Sequence, residues 1–589
     1  MKSRDVCNSM FPKFMQINAR KQTGCYTFGA TKKKSFLLMK SKLLFLLFFA
    51  SFSSFAQYTL IPDENFEKKL IDLGIDFGTV DGKVLTSSIS WLTTLEVQSC
   101  SIKDLTGIQD FVALTSLHCN FNDITSLDLS KNTALTNLSC GHNQLSSLDL
   151  SKNTALKDLY CSTDQLSSLD LSKNTALTTL NCGNNPLGNL DLSMNTALTG
   201  LFCWSNQLTN LDLSKNTALD ELHCNSNELI NLDLSKNTDL RILDCGPNKL
   251  TNLDLSKNTA LTTLYCWWNQ LTNLDLSKNT ALINLECGYN QLQNLNVSKN
   301  TALKYLSCNS NQLPNLDVSQ NTALTFLSCN SNQLPNLDVS KNTALTNLGC
   351  SSNQLPNLDV SKNTALTDLY CSSNQLTNLD VSINTALKFL FCASNQLTSM
   401  DVSNNIALQG FVCDFNKLTS LDVSKNTALI GLGCDSNQLT SLNLKNGNNT
   451  NFVKPSNNPY ESIPDYNFTN NPNLTCIQVD DVNYSNTNWP SKKDATATYS
   501  TSCSSLGITE TVFDKIIVYP NPTQGEIHID NSIFEKATVY DVLGKLIKTA
   551  RFANNSNHNT INLAGSLSGI YYIYLESEGT TIVKKIIVE

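Results

Sequence analysis

Residues 135–155 read LTNLSCGHNQLSSLDLSKNTA, and close copies of this segment recur along most of the chain. Cysteine marks the recurrence, since sixteen cysteines from Cys119 to Cys434 follow one another at a step of 21 residues. No insertion or deletion interrupts the series. A constant step of this length is the signature of a fold made by stacking similar units, so this repeat decides the architecture.

Each repeat contains two short segments in which apolar and polar residues alternate. In the quoted copy they run from Leu138 to Cys140 and from Leu148 to Leu150, and this alternation is typical of β-strands. Two strands and two turns leave no space for a helix within 21 residues. We therefore predict a mainly β solenoid in which one repeat forms one coil, with parallel strands on both faces, capped ends and a core of Leu, Cys and Leu or Val.

Stacking places equivalent polar residues of successive coils in columns. The Asn143 and Asn153 columns close the two halves of the coil, and their amides are predicted to satisfy backbone groups of the turns. The cysteine column is predicted to be reduced and buried, with a few disulfides or a metal as alternatives. The Asp149 column points outward and is predicted to form a structural lattice with Lys152 and its equivalents, with a calcium ladder as the alternative. We otherwise predict no cofactor and no metal site.

The pattern L-x-x-L-x-C-x-x-N-x-L resembles the leucine-rich repeat, and the resemblance covers about residues 95–444. It implies that strands line one face of the solenoid and that asparagines pin the turns. The repeat is at the short end of this family, and its second half imitates the first. We therefore expect strands rather than helices on the second face as well.

The half of each repeat that contains cysteine varies at its outward positions, whereas the L-D-L-S-K-N-T-A half barely changes. Aromatic residues are frequent at these variable positions. Exposed aromatic side chains on one face indicate recognition of a protein or a carbohydrate, and harmless drift on a tolerant scaffold is the alternative. The candidate ligand-binding residues are Tyr160, Phe202, Trp204, Tyr265, Trp267, Trp268 and Tyr289.

The segments that flank the repeats read as targeting and capping segments. Residues 39–56 are predicted to be a secretory signal peptide, and residues 1–38 a misassigned N-terminal extension. The apolar run within 39–56 is too short to span a bilayer, so we expect no transmembrane segment in the mature chain. Residues 57–94 and 445–503 are predicted caps, and the segment 61–73 in the first fits a capping helix with Asp63 as its N-cap. Cys476 and Cys503 lie outside the cysteine series and are a candidate disulfide of an exported protein.

The C-terminal part of the chain has a different texture. Residues 504–512 are a predicted linker, and residues 513–589 contain short alternating segments separated by turn residues, which predicts a small β-sandwich. The Y-P-N-P run at 519–522, the D-V-L-G-K segment and the K-K-I-I-V end resemble the type A C-terminal sorting domain of the type IX secretion system. That resemblance implies transport across the outer membrane of a Gram-negative bacterium by this machinery, to the medium or the cell surface.

Composition and motifs restrict the function further. The net charge of −8 argues against a nucleic-acid partner. The five histidines show no metal-ligand spacing, and G-x-S-x-G, H-E-x-x-H and phosphate-loop motifs are absent from the sequence, so we predict that the protein is not an enzyme. We expect an exported binding protein whose protein or glycan ligand the sequence does not name; a surface spacer or adhesive without a specific ligand is the alternative.

Overall fold

The computed structural model describes most of the chain after the predicted signal peptide. The described residues are 57–452, 466–503, 517–530, 535–552, 558–577 and 580–589. The predicted extension at 1–38, the signal peptide at 39–56 and the linker at 504–512 lie outside them. The chain divides into two compact units, Met1–Leu177 and Thr178–Glu589.

The first unit opens with the predicted cap. Strands β1 (Tyr58–Leu60) and β2 (Lys83–Leu85) pair antiparallel. Helix α1 (Glu64–Asp72) lies between them in the chain, and helix α2 (Thr86–Ile89) follows β2. Asp63 caps α1, because its side chain accepts hydrogen bonds from the backbone N–H groups of Asn65 and Phe66. Its other oxygen accepts from Lys103 N at 2.8 Å, so the same carboxylate ties the helix start to the first coils. The capping helix is therefore confirmed.

A parallel sheet follows in the first unit. Its strands are β3 (Thr94–Glu96), β4 (Ser116–His118), β5 (Asn137–Ser139) and β6 (Asp158–Tyr160). Each pairs in parallel with the next, and equivalent residues of successive coils face one another, as Leu117 faces Leu138. The central leucine of each strand is buried, and so is the cysteine that follows β4, β5 and β6.

The second unit continues the same pattern through thirteen strands. They are β7 (Thr179–Asn181), β8 (Gly200–Phe202), β9 (Glu221–His223), β10 (Ile242–Asp244), β11 (Thr263–Tyr265), β12 (Asn284–Glu286), β13 (Tyr305–Ser307), β14 (Phe326–Ser328), β15 (Asn347–Gly349), β16 (Asp368–Tyr370), β17 (Phe389–Phe391), β18 (Gly410–Val412) and β20 (Gly431–Gly433). Successive strands pair in parallel, as Leu243 does with Leu264. A solenoid with one coil per repeat is thus confirmed.

The second half of the coil departs from the prediction. The described residues form strands there only at β19 (Ser420–Asp422) and β21 (Ser441–Asn443), and the sheet continues through β22 (Cys476–Gln478) and β23 (Thr498–Ser500). In the other coils side chains join this half of one coil to the next. The carbonyl of Leu150 accepts from Asn153 N at 3.0 Å and from Asn174 Nδ2 at 3.1 Å. The expectation of strands on both faces is therefore wrong for most coils.

The Asp column of that half also differs in detail from the prediction. Asp149 Oδ1 accepts a hydrogen bond from Ser151 N at 2.9 Å, and most coils repeat this short turn. The Ser151 hydrogen bonds lower the pKa of Asp149, and Lys152 adds less. The serine backbone, rather than the lysine that the sequence suggested, is the main partner of these carboxylates.

The C-terminal cap fills the end of the coils with aromatic residues. Helix α3 (Val482–Asn488) leads into Trp489, which is fully buried, and the rings of Phe452, Tyr466 and Tyr499 lie 5.5–6.0 Å from it. Nearby, Cys476 and Cys503 form a disulfide with a Cα–Cα distance of 5.8 Å. The bond joins β22 to the segment just after β23, the last strands of the second sheet.

The sorting region is a two-layer antiparallel β domain. One sheet contains β24 (Ile517–Tyr519), β25 (Glu526–Asp530) and β28 (His558–Asn562); the other contains β26 (Lys536–Asp541), β27 (Leu546–Arg551), β29 (Gly569–Ser577) and β30 (Thr580–Val588). Asn521 Nδ2 donates to Lys585 O and Asn521 Oδ1 accepts from Ile587 N, both at 2.8 Å. The Y-P-N-P run therefore covers the edge of the K-K-I-I-V strand, and the predicted small β domain is confirmed.

The cysteine column makes a chemical prediction. All sixteen cysteines from Cys119 to Cys434 are fully buried and form no disulfide, and burial raises the pKa of Cys119 to about 12. Cys100 is half-exposed. Among the described thiols we expect Ellman's reagent to label Cys100 alone in the native protein and the whole column after unfolding in guanidinium, because a buried thiol does not form the reactive thiolate. Slow labelling of the column without unfolding would contradict a reduced, closed core.

Candidate binding surface

The outward residues of the parallel sheet form a regular array, which we call the strand face. It consists of the first and third residue of each strand and the two residues after the buried cysteine. The second of these has a positive φ in nearly every coil, including Trp268 and Tyr289 with φ of 53°. The asparagine ladder holds this left-handed turn, as Asn269 Nδ2 donates to Cys245 O at 3.0 Å and to Cys266 O at 3.2 Å.

Three candidate residues meet on this face in the second unit. Trp268 and Tyr289 are 53% and 52% exposed, and their rings meet edge to face at 5.6 Å. The ring of Trp267 lies 5.8 Å from that of Trp268. They form one aromatic cluster, defined by Trp267, Trp268 and Tyr289, that neighbouring coils hold in place.

Trp204 and Trp267 are only half-exposed because each lies over a glycine of the preceding coil. A Cβ at Gly183 would overlap the Trp204 ring, and one at Gly246 would lie 3.0 Å from Trp267 Nε1. A glycine in this position therefore gives the next indole a flat backbone to cover. The sequence contains this signal twice, as Gly183 with Trp204 and Gly246 with Trp267.

This packing predicts that Gly183→Ala displaces the Trp204 indole. We expect a red shift of tryptophan fluorescence and a loss of about 1–3 kcal/mol of stability from overpacking. Gly183→Ala/Trp204→Ala should show no red shift relative to Trp204→Ala, because the displaced indole is no longer present. Gly200→Ala is the matched control, since a Cβ there would approach neighbours no closer than 3.4 Å. An unchanged spectrum in Gly183→Ala would contradict the contact.

Charged residues that sequence reasoning missed lie between the aromatic ones. Phe202 stacks on His223 with ring centroids 4.8 Å apart. His223 Nε2 lies 2.9 Å from Glu221 Oε1, and Nδ1 lies 3.7 Å from Asp244 Oδ2. The neighbouring Asp244 carboxylate raises the pKa of His223, and Glu221 adds to the effect. The face thus already holds one imidazole ring between two carboxylates and against an aromatic ring.

The next coils extend this arrangement. Tyr265 lies opposite Glu286 in the sheet register, and burial together with Glu286 and Asp244 raises the pKa of Tyr265. Burial and Glu286 also raise the pKa of Tyr305, which stacks on Phe326 at 4.3 Å. Reading the outward positions of each coil as columns would have found these carboxylates, since they occupy the same positions as the aromatic candidates.

Tyr160 is the candidate of the first unit. It ends β6 and is 38% exposed. The other candidates lie in the second unit, where Trp268 contacts both Trp267 and Tyr289. Phe202 stacks on His223, Trp204 covers Gly183, and Tyr265 lies between Asp244 and Glu286 in the sheet register. Their role in binding stays a prediction.

The described residues contain no group of three or more His, Cys, Asp or Glu side chains placed to hold a metal ion. The calcium alternative and the expected lack of a cofactor stay predictions. None of the helices in the described part of the chain has the length and apolar character that crossing a membrane requires.

These coils define the class of the repeat region, which is a leucine-rich-repeat solenoid with a cysteine and asparagine ladder. It is similar to the functional domain of InlJ from Listeria monocytogenes, which includes a cysteine ladder, with 27% identity and a TM-score of 0.55 over 91% of this chain and 99% of that one. A leucine-rich-repeat protein of Leptospira interrogans has 25% identity and a TM-score of 0.53 over 56% of this chain and 92% of that one.

Sequence similarity also extends to an internalin and to a family of sorting domains. Internalin J of Listeria monocytogenes is 38% identical over 72 residues, which are 12% of this chain and 8% of that protein, so the match spans a small part of its length. Residues 517–589 match the secretion system C-terminal sorting domain. The chain is therefore a leucine-rich-repeat protein with a type IX sorting domain, exported across the outer membrane by the secretion machinery to the medium or the cell surface.

Proposed function

We propose that this exported protein is a binding protein that recognises a protein or a carbohydrate through the strand face, and that it has no catalytic activity. The observation that carries the proposal is the exposed aromatic cluster of Trp267, Trp268 and Tyr289 on a rigid parallel sheet. Large exposed rings that the backbone holds in place contribute much of the energy of binding surfaces, because little side-chain entropy is lost when they bind.

The contrast between the two halves of the coil supports this proposal. The second half repeats the same Asp–Ser turn and asparagine ladder in coil after coil, as at Asp212 and Asp275. The strand face, on the same backbone, changes from aromatic to acidic to small residues between coils. A surface that varies on a uniform scaffold is typical of recognition by repeat proteins.

The test is the full chain with Trp268→Ala and Tyr289→Ala combined. We expect binding in a glycan array or pull-down from cell-surface extracts to weaken at least about tenfold, because both rings belong to one cluster. Trp91→Ala is the control, since Trp91 is 67% exposed and lies outside the strand face. Equal binding by the double variant and the wild type would contradict the proposal.

A spacer or adhesive without a specific ligand is the second candidate, and the uniform Asp–Ser lattice favours it. It predicts that cell-surface attachment is the same with and without the aromatic cluster. A calcium-dependent stalk would differ from both, since EDTA would lower its melting temperature. We expect EDTA to leave the melting temperature unchanged, because each lattice Asp already accepts a backbone N–H group.

A further inference from the structure

The strand face of the second unit carries charge of one sign. From β7 to β20 its four positions per coil contain no Lys or Arg, and every one of these positions is described. The same positions hold six carboxylates: Glu221, Asp244, Glu286, Asp368, Asp414 and Asp435. The opposite half of the coil instead alternates Asp and Lys, so the imbalance belongs to this face.

Three of these carboxylates lie among the aromatic rings. Asp244 Oδ1 and Trp267 Nε1 are 3.1 and 3.0 Å from the point where a Cβ of Gly246 would lie, so the carboxylate and the indole are neighbours. Tyr265 lies between the strand positions of Asp244 and Glu286. Carboxylates beside exposed ring faces suit an ammonium or guanidinium group, which pairs with the first and stacks on the second.

The protein already uses this chemistry within the same coils. His223 lies between Glu221 and Asp244 and against Phe202. At the edge of the face, the Arg241 guanidinium donates two hydrogen bonds to the Asp220 carboxylate. Glu221 and Asp244 share one imidazole, and Glu286 has phenol neighbours, so the face retains excess negative charge.

We infer that β9 to β12 of the strand face bind a polypeptide segment that carries Lys or Arg, with one cation at Asp244 and a second at Glu286, over Tyr265 and Trp268. This deepens the proposed binding function and rests on it. Strands β10 and β12 are two steps apart in the sheet, about 10 Å. A peptide in the polyproline II conformation rises about 3.1 Å per residue and returns to the same face every third residue, so the two cations should be separated by two other residues.

The experiment measures binding of fluorescent peptides to the full chain by anisotropy. The probe has two arginines separated by two alanines, and the comparison peptides have adjacent arginines or glutamines instead. We expect the probe to bind most tightly and its affinity to fall with added salt, because the contacts are between charges. Asp244→Asn/Glu286→Gln should weaken binding at least about tenfold.

The matched control is Asp317→Asn/Asp359→Asn. It also removes two carboxylates that are two coils apart, but in the Asp column of the opposite half, where each accepts a serine N–H group at 2.8–2.9 Å. Its affinity for the probe should equal that of the wild type. Circular dichroism and the melting temperature establish that both double variants are folded.

Two results would overturn the inference, namely a probe that fails to bind the wild type, or one that binds Asp244→Asn/Glu286→Gln as tightly. The proposed function fails separately. If a neutral glycan or protein binds, and Trp268→Ala/Tyr289→Ala removes that binding while Asp244→Asn/Glu286→Gln does not, the strand face is a binding surface and the cationic ligand is wrong. If both double variants attach to every tested glycan and protein as the wild type does, the binding function itself is wrong.

Discussion

Replacing Asn290 with alanine is expected to lower the free energy of unfolding by about 3 kcal/mol. Asn290 is 8% exposed, and its Nδ2 donates to Cys266 O at 3.0 Å and Cys287 O at 3.2 Å, while its Oδ1 accepts from Leu271 N at 3.0 Å. Alanine removes three hydrogen bonds: Leu271 N loses its partner, while Cys266 O and Cys287 O keep the amides of Asn269 and Asn311. Each of the three hydrogen bonds contributes about 1 kcal/mol.

Urea unfolding followed by circular dichroism measures this loss. Asn284→Ala is the control, because Asn284 is half-buried on the strand face and its amide contacts only a hydroxyl, Thr263 Oγ1, at 3.3 Å. We expect the control to change stability by less than about 0.5 kcal/mol. Similar losses for both variants would show that the ladder is not what holds adjacent coils together.

Asp164→Asn is expected to stabilise the protein at neutral and alkaline pH. Asp164 stands where other coils have the ladder asparagine, and its Oδ1 accepts from Asn143 N at 2.9 Å. Its Oδ2 is buried and has no hydrogen-bond partner in the described structure, at the position where an asparagine would donate. Burial raises the pKa of Asp164 to about 7, because a buried carboxylate loses the water that stabilises its charge.

The sign of the pH dependence follows from this shift. An unfolded Asp has a pKa of about 3.9, so between about pH 4 and pH 7 the native state holds a proton that the unfolded state lacks, and stability falls as pH rises through this window. The full shift corresponds to about 4 kcal/mol, and we expect about half of it because the side chain is 9% exposed and water reaches its charge.

The gain in free energy of unfolding from Asp164→Asn should therefore be smallest near pH 4 and reach about 2 kcal/mol above pH 7. Urea titrations at several pH values measure it. The reciprocal variant Asn290→Asp provides a matched check, since it places a carboxyl in an equivalent ladder position. It should destabilise the protein most above pH 7 and least near pH 4. A pH-independent difference for Asp164→Asn would contradict a protonated acid in the ladder.

Several features of this protein follow from its sequence alone. The step of 21 residues predicts one coil per repeat, because a constant register lets each leucine and cysteine stack on its equivalent in the next coil. Asp63 predicts the start of the capping helix, and the Y-P-N-P and K-K-I-I-V segments indicate the sorting domain. These signals are local or periodic, so they can be read without knowing which residues meet.

The tertiary structure decided what depends on partners one coil away. The alternation around Leu148 predicts burial correctly but not a strand; in that coil the Leu150 carbonyl accepts from the Asn174 side chain of the next coil, a partner that the alternation does not reveal. Likewise the aromatic pattern names Trp204 and Trp268 as equals, and the structure separates them, since Trp204 covers Gly183 whereas Trp268 is exposed. A periodic pattern reports which side of the chain is buried, but hydrogen bonds and ring contacts between coils decide which groups remain free to bind.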